Sequence, residues 1–157
     1  MRIISGGQSG VDRAALDLAI EHNIAYGGWC PKGGWAEDLR DSPGLLARYP
    51  NLHETPESDP KQRTEWNVRD SDATLIVSPK GVTSPGTAFT IDSAKTHAKP
   101  YLVIDPAAAN ASHEVRQWLL STENLWNLNV AGPRESESPG IYTITRAFLE
   151  SAFFIGN

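Results

Sequence analysis

The chain has a single cysteine in 157 residues, Cys30, which excludes an internal disulfide framework and a zinc site built on several cysteines. No apolar run approaches the roughly 20 residues of a membrane-spanning helix, and the N-terminus begins with a strand pattern instead of a signal peptide. Basic residues are few, 14 against 19 acidic ones, so the net charge of −5 gives no general attraction for nucleic acid or membranes. These absences predict a soluble, cytoplasmic protein that captures any anion with local groups.

Metal-binding patterns are also missing. The histidines are scattered, without helical i, i+4 pairing or a carboxylate at metal-ligand spacing, and they are His22, His53, His97 and His113. We therefore predict no intrinsic metal site, and we assign Cys30 a role as a small buried hydrophobe. Hydrophobic residues make up 39% and charged residues 21% of the chain, as in ordinary globular proteins. A chain of this length is predicted to form one domain, residues 1–157.

Short apolar runs alternate with helical patterns along the whole chain. The predicted strands are Arg2–Ile4, 26–29, Ala73–Val77, Tyr101–Ile104 and 128–130, with a minor edge strand at Leu52–Glu54. The predicted helices cover 9–22 and 63–70, a segment that begins at Pro85, one capped by Ser112, and 141–154. This alternation predicts a doubly wound α/β domain with a mostly parallel sheet and helices on both faces.

The stretch SGGQSGVDR, residues 5–13, follows the first predicted strand and leads into the first helix. Glycines there let backbone N–H groups approach a ligand, and a helix N-terminus favours an anion such as phosphate. The dinucleotide fingerprint is incomplete because Ser5 replaces its first glycine, and neither a Walker loop nor a nucleophile elbow is present. We therefore predict phosphate binding by Gly6, Gly7, Gln8, Ser9 and Gly10. The alternative is a glycine turn that only connects strand to helix.

Two more loops leave predicted carboxyl ends of strands, where ligands of doubly wound sheets bind. Residues 80–90, KGVTSPGTAFT, repeat the glycine turn, with Thr83 or Ser84 as the helix cap. The third loop, residues 131–140, carries Arg134. Scattered basic residues cluster on these loops, with Arg63 nearby, and they are Arg13, Lys32, Lys80 and Arg134. Each of them could equally be an ordinary surface charge.

Residues 30–60 form an irregular segment, because prolines and glycines interrupt any periodicity there. A long connection without regular structure is unusual in a compact domain unless it has a function. We therefore expect this segment to fold over the surface as a lid or partner contact. Three tryptophans near the predicted ligand edge, Trp29, Trp35 and Trp66, could stack on a pterin or purine, although packing accounts for most tryptophans.

Four stretches together resemble the molybdenum carrier family, whose relatives include the molybdenum cofactor carrier proteins. They are GGQSGVDRAALDLAI, RTEWNVRDSDATLIV, SPGTAFT and LNVAGPRESESPGIY, and they span nearly the whole chain. This family is part of the SLOG superfamily of Rossmann-like domains, which also contains lysine-decarboxylase-like phosphoribohydrolases.

The resemblance implies a single Rossmann-like SLOG domain that binds a small anionic, phosphorylated pterin or nucleotide-like ligand. The expected ligand is molybdenum cofactor (molybdopterin), which the protein would store or protect and pass to molybdenum enzymes. Matching positions place phosphate binding on residues 6–10 and further ligand contacts on residues 80–87, including Lys80, Gly81, Ser84, Gly86 and Thr87. The resemblance also implies a homo-oligomer, a dimer or tetramer.

The sequence departs from the family at two positions, where Gly34 replaces an arginine and Leu39 a glycine. The phosphoribohydrolase branch has a glutamate in P-G-G-x-G-T-x-x-E, and Thr90 occupies that position here. Cleavage of a glycosidic bond uses such a carboxylate, so we assign no catalytic residue. The alternatives are a nucleotide-processing enzyme that uses Asp72, Asp92 or Glu135 instead, and a nucleotide-sensing module.

Overall fold

The computed structural model describes residues 1–154 of the chain. These residues contain six strands, and every pair of neighbouring strands is parallel. The strands are β1 (Arg2–Ile4), β2 (Tyr26–Cys30), β3 (Leu52–Glu54), β4 (Ala73–Val77), β5 (Tyr101–Ile104) and β6 (Asn127–Ala131). Their order across the sheet is β3-β2-β1-β6-β4-β5. The fold is therefore the α/β doubly wound, Rossmann-like arrangement that the sequence predicts.

Helices connect the strands and cover both faces of the sheet. They are α1 (Val11–Glu21), α2 (Leu45–Arg48), α3 (Pro60–Arg69), α4 (Pro85–Thr96), α5 (Ala111–Ser121) and α6 (Ile141–Phe153). Helix α6 packs against α1 and α5, and α3 packs against α4. Right-handed crossovers place these two groups on opposite faces, because β1 to β2 and β3 to β4 run in opposite directions across the sheet. None of the helices within residues 1–154 is long and apolar enough to cross a membrane.

Burial follows from this layering. Strand β4 is buried at all five positions, as expected for a central parallel strand covered on both faces. The main core joins the sheet to α1, α5 and α6, with Leu75, Leu128 and Leu149 fully buried. A second core lies under α2 and β3, where Leu16, Cys30, Leu45, Tyr49 and Leu52 meet. The second core organises much of the segment predicted to be irregular.

Most element boundaries agree with the prediction, and the differences have local causes. Helix α5 begins after Asn110, which has a left-handed backbone, so Ser112 lies inside the helix and the prediction that it caps α5 was wrong. Helix α3 begins three residues earlier than predicted, because Asp59 caps it and Pro60 starts it. The sequence pattern missed α2, since four residues are too few to show a helical period.

Candidate ligand-binding cleft

A cleft of about 430 Å³ opens at the carboxyl ends of β1 and β6. Its walls are the first turns of α3 and α4, and its floor is formed by the β1–α1 loop and the end of β6. The polar, basic and acidic residues that line it are Gln8, Asp12, Asp59, Lys61, Arg63, Thr64, Asn67, Ser84, Thr90, Asn129, Arg134, Ser136 and Glu137. Pockets of a few hundred Å³ beyond the carboxyl ends of parallel strands are the usual ligand sites of such sheets.

Two helix N-termini converge on the cleft, and each has a side-chain cap. The Ser84 hydroxyl accepts the Thr87 backbone N–H at 3.2 Å in α4, and the Asp59 carboxylate accepts the Lys61 N–H at 2.9 Å in α3. The positive ends of these helix dipoles favour an anion between them. Lys61 on α3 and Arg134 on the β6–α6 loop add positive charge to the lining. The cleft lining therefore combines two helix N-termini and three basic side chains with the carboxylates of Asp12, Asp59 and Glu137.

A buried ion pair lies in the cleft between α3 and α1. Arg63 donates to the Asp12 carboxylate at 3.1 Å, and the two residues are only 8% and 6% exposed. Burial raises the pKa of Asp12, although Arg63 and a hydrogen bond from the Gln8 backbone act in the opposite direction. The guanidinium lies directly against Gly6, where an added Cβ would be 1.9 Å from one of its nitrogens. Gly6 is thus required for the close approach of Arg63 to the loop.

Gln8 is held in one orientation at the cleft. Its Oε1 accepts the backbone N–H groups of Ser9 at 3.0 Å and Glu37 at 2.9 Å. The residue is 3% exposed, and its Nε2 has no hydrogen-bond partner among residues 1–154. Rotation of the amide by 180° would place an NH₂ group against two N–H donors. The Gln8 amide therefore has a fixed orientation, with Oε1 toward the two N–H groups and Nε2 buried.

Glu37 connects three loops beside the cleft. Its carboxylate accepts hydrogen bonds from the hydroxyls of Ser9 and Ser136, and Arg134 lies 3.9 Å away. Burial alone would raise the pKa of Glu37, but these hydrogen bonds outweigh it and the pKa is lowered. No local sequence pattern predicts a role for Glu37, whose contacts come from residues distant in the chain. The missed lining residues also include Lys61, Phe89 and Asn129.

The predicted site residues do not all meet in one place. Gly6, Gln8, Ser84, Gly86 and Arg134 line the cleft. Ser9, Gly10 and Arg13 instead line a wider crevice of about 780 Å³ beside it, together with Asp17, Asp38 and Arg48. Arg13 is 4% exposed and bonds both oxygens of Asp38 at 2.8 Å. The hydrogen bond from Arg13 is the largest cause of the lowered pKa of Asp38.

N–H groups in and next to the first glycine loop are already hydrogen-bonded within the protein. The Gly7 N–H donates to the Ser5 hydroxyl, and the Val11 N–H donates to the Pro133 carbonyl at 3.3 Å. Gly7 faces the second core, where an added Cβ would be 3.0 Å from Leu45. A bulky residue at position 7 would therefore disturb packing as well as any ligand contact.

The remaining predicted residues lie outside the cleft lining. Lys32 begins the 3-10 turn Lys32–Gly34, and its N–H donates to the Glu57 carbonyl. The Lys80 N–H donates to Asp105 at 3.3 Å, and a Cβ added at Gly81 would have no atom within 4 Å. Thr87 is 7% exposed, with its hydroxyl unpaired among the described residues. The second glycine turn thus contributes its helix cap and Gly86 to the cleft, but not Lys80.

The carboxylates considered for hydrolysis have positions away from the cleft lining. Asp72 accepts the N–H groups of Trp126 and Asn127 at the amino end of β6, which is the opposite end of the sheet. Glu135 accepts the N–H groups of Gly140 and Tyr142 and so caps α6. Asp92 is an exposed residue of α4 outside the lining. The carboxylates that do line the cleft are Asp12, Asp59 and Glu137.

Other residues considered from the sequence have packing roles. Trp29 and Trp66 contact each other edge to face, with centroids 4.8 Å apart, whereas Trp35 lies under the Arg134 guanidinium at 5.5 Å. Cys30 is fully buried, and burial raises the pKa of its thiol to about 11. Within residues 1–154, no three His, Cys, Asp or Glu side chains are grouped as a metal site.

The backbone conformation at Gly34 is suited to glycine and not to the arginine that the family has at this position. Its φ is +71°, and an added Cβ would be 2.2 Å from the Pro43 carbonyl oxygen. An arginine at this position would require the 43–46 backbone to move. The local structure of residues 31–45 is therefore adapted to a glycine in this chain.

This chain is similar to a known protein family and to a protein of known structure. The circularly permutated YpsA SLOG family matches residues 3–153. The crystal structure named "Putative molybdenum carrier protein" from Syntrophus aciditrophicus SB is 44% identical in sequence, with a TM-score of 0.86. The match covers 97% of this chain and 94% of that one. No curated protein matches the chain.

Proposed function

Because the chain belongs to the circularly permutated YpsA SLOG family, we propose that it binds a small anionic, phosphorylated ligand in the cleft between α3 and α4. Membership in this family confirms the resemblance inferred from the sequence. The observation that carries the proposal is the convergence of two helix N-termini with Lys61 and Arg134 on one cleft of about 430 Å³. This arrangement attracts an anion where the chain as a whole repels it.

Molybdenum cofactor is the ligand that we propose. The support is the name of the 44% identical relative, a molybdenum carrier protein, together with a cleft large enough for a pterin. Lys61, Arg134 and the α3 and α4 N-termini would hold the phosphate, and Phe89 offers a flat apolar wall for the ring. The cofactor would be carried as cargo, stored or protected until molybdenum enzymes receive it.

Thermal unfolding with added ligand tests this proposal. Molybdopterin, AMP and inorganic phosphate are titrated separately, and samples with AMP are also analysed for released base. A ligand present at one hundred times its dissociation constant adds about 2.7 kcal/mol to the unfolding free energy. For a domain of this size that corresponds to roughly 5 to 10 °C in Tm. A shift with molybdopterin and little with AMP is expected, whereas a shift with AMP alone would replace the carrier function with nucleotide binding.

Two variants locate the binding site. Lys61→Gln and Arg134→Gln remove one charge each from the cleft lining, and each is expected to weaken ligand binding about tenfold, since a hydrogen bond to a charged group contributes ~1.5 kcal/mol. Lys80→Gln is the matched control, because Lys80 lies outside the lining. An equal loss in Lys80→Gln would instead place the ligand at the second glycine turn, as the family motif suggests.

Assembly into a dimer or tetramer is part of the proposal. Its support is two large apolar side chains at the surface, Leu120 with 81% and Trp126 with 71% exposure, since exposed apolar groups often mark contact sites. Light scattering of the purified protein measures the assembly directly. A monomer at micromolar concentration would remove this part of the proposal and leave ligand binding intact.

A further inference from the structure

The carboxylate of Glu137 is bound to the N-terminal cap of α4. Its Oε1 accepts the Ser84 hydroxyl at 3.2 Å and the Arg134 backbone N–H at 2.9 Å. The same Ser84 oxygen accepts the Thr87 N–H at 3.2 Å, so one hydroxyl joins the carboxylate to the first turn of the helix. Glu137, Ser84 and Arg134 all line the cleft. An anion that belongs to the chain itself thus occupies the end of α4 at the cleft.

This contact joins two loops that are distant in the sequence. Ser84 precedes α4, and Glu137 lies 53 residues later, on the β6–α6 loop. The first turn of α4 is otherwise open, because beyond the helix backbone and its chain neighbours a Cβ added to Gly86 would meet only the Ser84 Oγ, at 4.0 Å. Glu137 is partly exposed, whereas Ser84 is 8% exposed. The carboxylate can therefore move into solvent while the cap stays with α4.

A phosphate in the cleft requires the donors that Glu137 uses. The helix dipole and the Ser84 and Arg134 donors favour any charged oxygen at this position, whether from a carboxylate or from a phosphate. Two anions so close to each other repel, so they do not occupy the position together. The other carboxylates of the lining, Asp12 and Asp59, have separate partners. Glu137 is therefore the carboxylate that competes with a phosphate at α4.

We propose that Glu137 is an internal competitor of the ligand, which holds the α4 anion position in the unliganded protein and leaves it when a phosphate group binds. This inference rests on the proposed function, because it concerns the phosphate end of a ligand in the same cleft. The Ser84 hydroxyl and the Arg134 N–H pass from the carboxylate to the phosphate, so both donors keep a partner in either state. The exchange lowers the apparent affinity for phosphate and couples the conformation of the β6–α6 loop to occupancy of the cleft.

Glu137→Gln tests this competition. The amide oxygen can still accept the Ser84 hydroxyl and the Arg134 N–H, but a neutral acceptor is held less tightly and does not repel phosphate. Calorimetric titration with inorganic phosphate is expected to give a dissociation constant about tenfold lower than that of the wild type. Without phosphate the variant is expected to have a lower Tm than the wild type. Saturating phosphate is expected to remove this difference, because the carboxylate is then no longer bound to α4.

Glu135→Gln is the matched control, since it removes the same charge from the same loop. Glu135 accepts the N–H groups of Gly140 and Tyr142 at α6 and lies outside the cleft lining. Its dissociation constant for phosphate is expected to stay within about twofold of the wild-type value, because salt screens a charge at that distance. Glu137→Ala is a second variant, which removes the acceptor altogether and is also expected to bind phosphate more tightly than the wild type.

The outcomes separate this inference from the proposed function. Equal phosphate affinity of the wild type and both Glu137 variants would overturn the competition and leave the cleft as an anion site. Weaker binding in both variants would mean that Glu137 helps to hold the ligand, and an equal gain in Glu135→Gln would mean a general effect of net charge; either result overturns the inference. Binding of phosphate by none of these proteins would also overturn it, whereas the proposed function fails only if molybdopterin gives no shift in Tm either.

Discussion

At the scale of single residues, two arginines of α3, Arg63 and Arg69, form ion pairs with aspartates that differ in burial. Arg63 and Asp12 are less than a tenth exposed, whereas the side chains of Arg69 and Asp70 are 42% and 43% exposed. A buried charge that loses its partner is strongly destabilising, but an exposed pair contributes little. The same type of pair is therefore a structural requirement in the cleft and nearly neutral at the surface.

Arg63→Met is expected to lower the unfolding free energy by about 3 kcal/mol at pH 7.5, because it leaves the Asp12 carboxylate buried without its cation. Burial already raises the pKa of Asp12, and the variant raises it further. As the pH falls through this raised pKa, Asp12 takes up a proton in the folded state and the loss becomes smaller. Urea unfolding between pH 7.5 and 4.5 measures this dependence.

Arg69→Met is the control for Arg63→Met, with an expected loss below about 1 kcal/mol at neutral pH. The hydrogen bond from Arg69 lowers the pKa of Asp70 below its usual value, so the small contribution of the pair is the same at pH 7.5 and 4.5 and is lost only at more acidic pH. A loss for Arg63→Met that stays the same at pH 7.5 and 4.5 would show that Asp12 is not the group responsible.

At the scale of elements, the β1–α1 and β6–α6 loops are packed directly against each other. An added Cβ on Gly10 would be 2.5 Å from the Pro133 carbonyl oxygen, and the φ of Gly10 is +81°. The Ser9 hydroxyl accepts the Glu135 N–H at 3.2 Å across the same contact. The β6–α6 loop therefore stabilises the conformation of the β1–α1 loop, and glycine is required at position 10 for the two loops to meet.

Gly10→Ala is expected to destabilise the protein by about 2 to 4 kcal/mol, from the strained backbone and from the clash with Pro133. Gly81→Ala is the control, since Gly81 has a similar φ of +83° with nothing near its Cβ position. The control should lose only about 1 to 2 kcal/mol. Denaturant unfolding of the two variants gives the difference, and equal losses would mean that the loops separate without cost.

At the scale of the whole molecule, residues 30–60 are joined to the domain by their own core. Leu45 and Tyr49 are buried with Leu16 of α1, and the Tyr49 hydroxyl donates to Asp17. Leu45 also lies beneath Gly7. The segment predicted from the sequence as a lid or partner contact thus supports the first glycine loop from behind, which is a structural role beside any contact that it makes with a ligand or partner.

Leu45→Ala is expected to cost about 2 to 5 kcal/mol of unfolding free energy, because it opens a cavity in a fully buried core. Leu120→Ala is the control, measured at a concentration at which the protein is monomeric, since Leu120 is 81% exposed in the single chain and should then change stability by less than about 0.5 kcal/mol. Urea unfolding measures both variants. A small loss for Leu45→Ala would mean that residues 30–60 fold independently of the domain.

Much of the fold could be predicted because its signals are local. Ala73–Val77 is a short branched apolar run, and it is a fully buried strand in the structure. Ser84 and Pro85 together predict the start of α4, and both have the expected positions. The structure also has a cleft at the carboxyl edge of the sheet, where the candidate loops were expected to meet, since parallel strands place all their carboxyl ends together.

The sequence by itself determined the strands, most helix starts and the edge at which loops gather, because apolar period, caps and glycines act over a few neighbouring residues. Only the tertiary structure decided the strand order and the pairing of distant charges. Arg13 pairs with Asp38, and Arg63 pairs with Asp12 across 51 residues of sequence. Such pairs depend on which strands become neighbours, and the free energy that selects the strand order comes from burial of the whole sheet rather than from any short stretch of sequence.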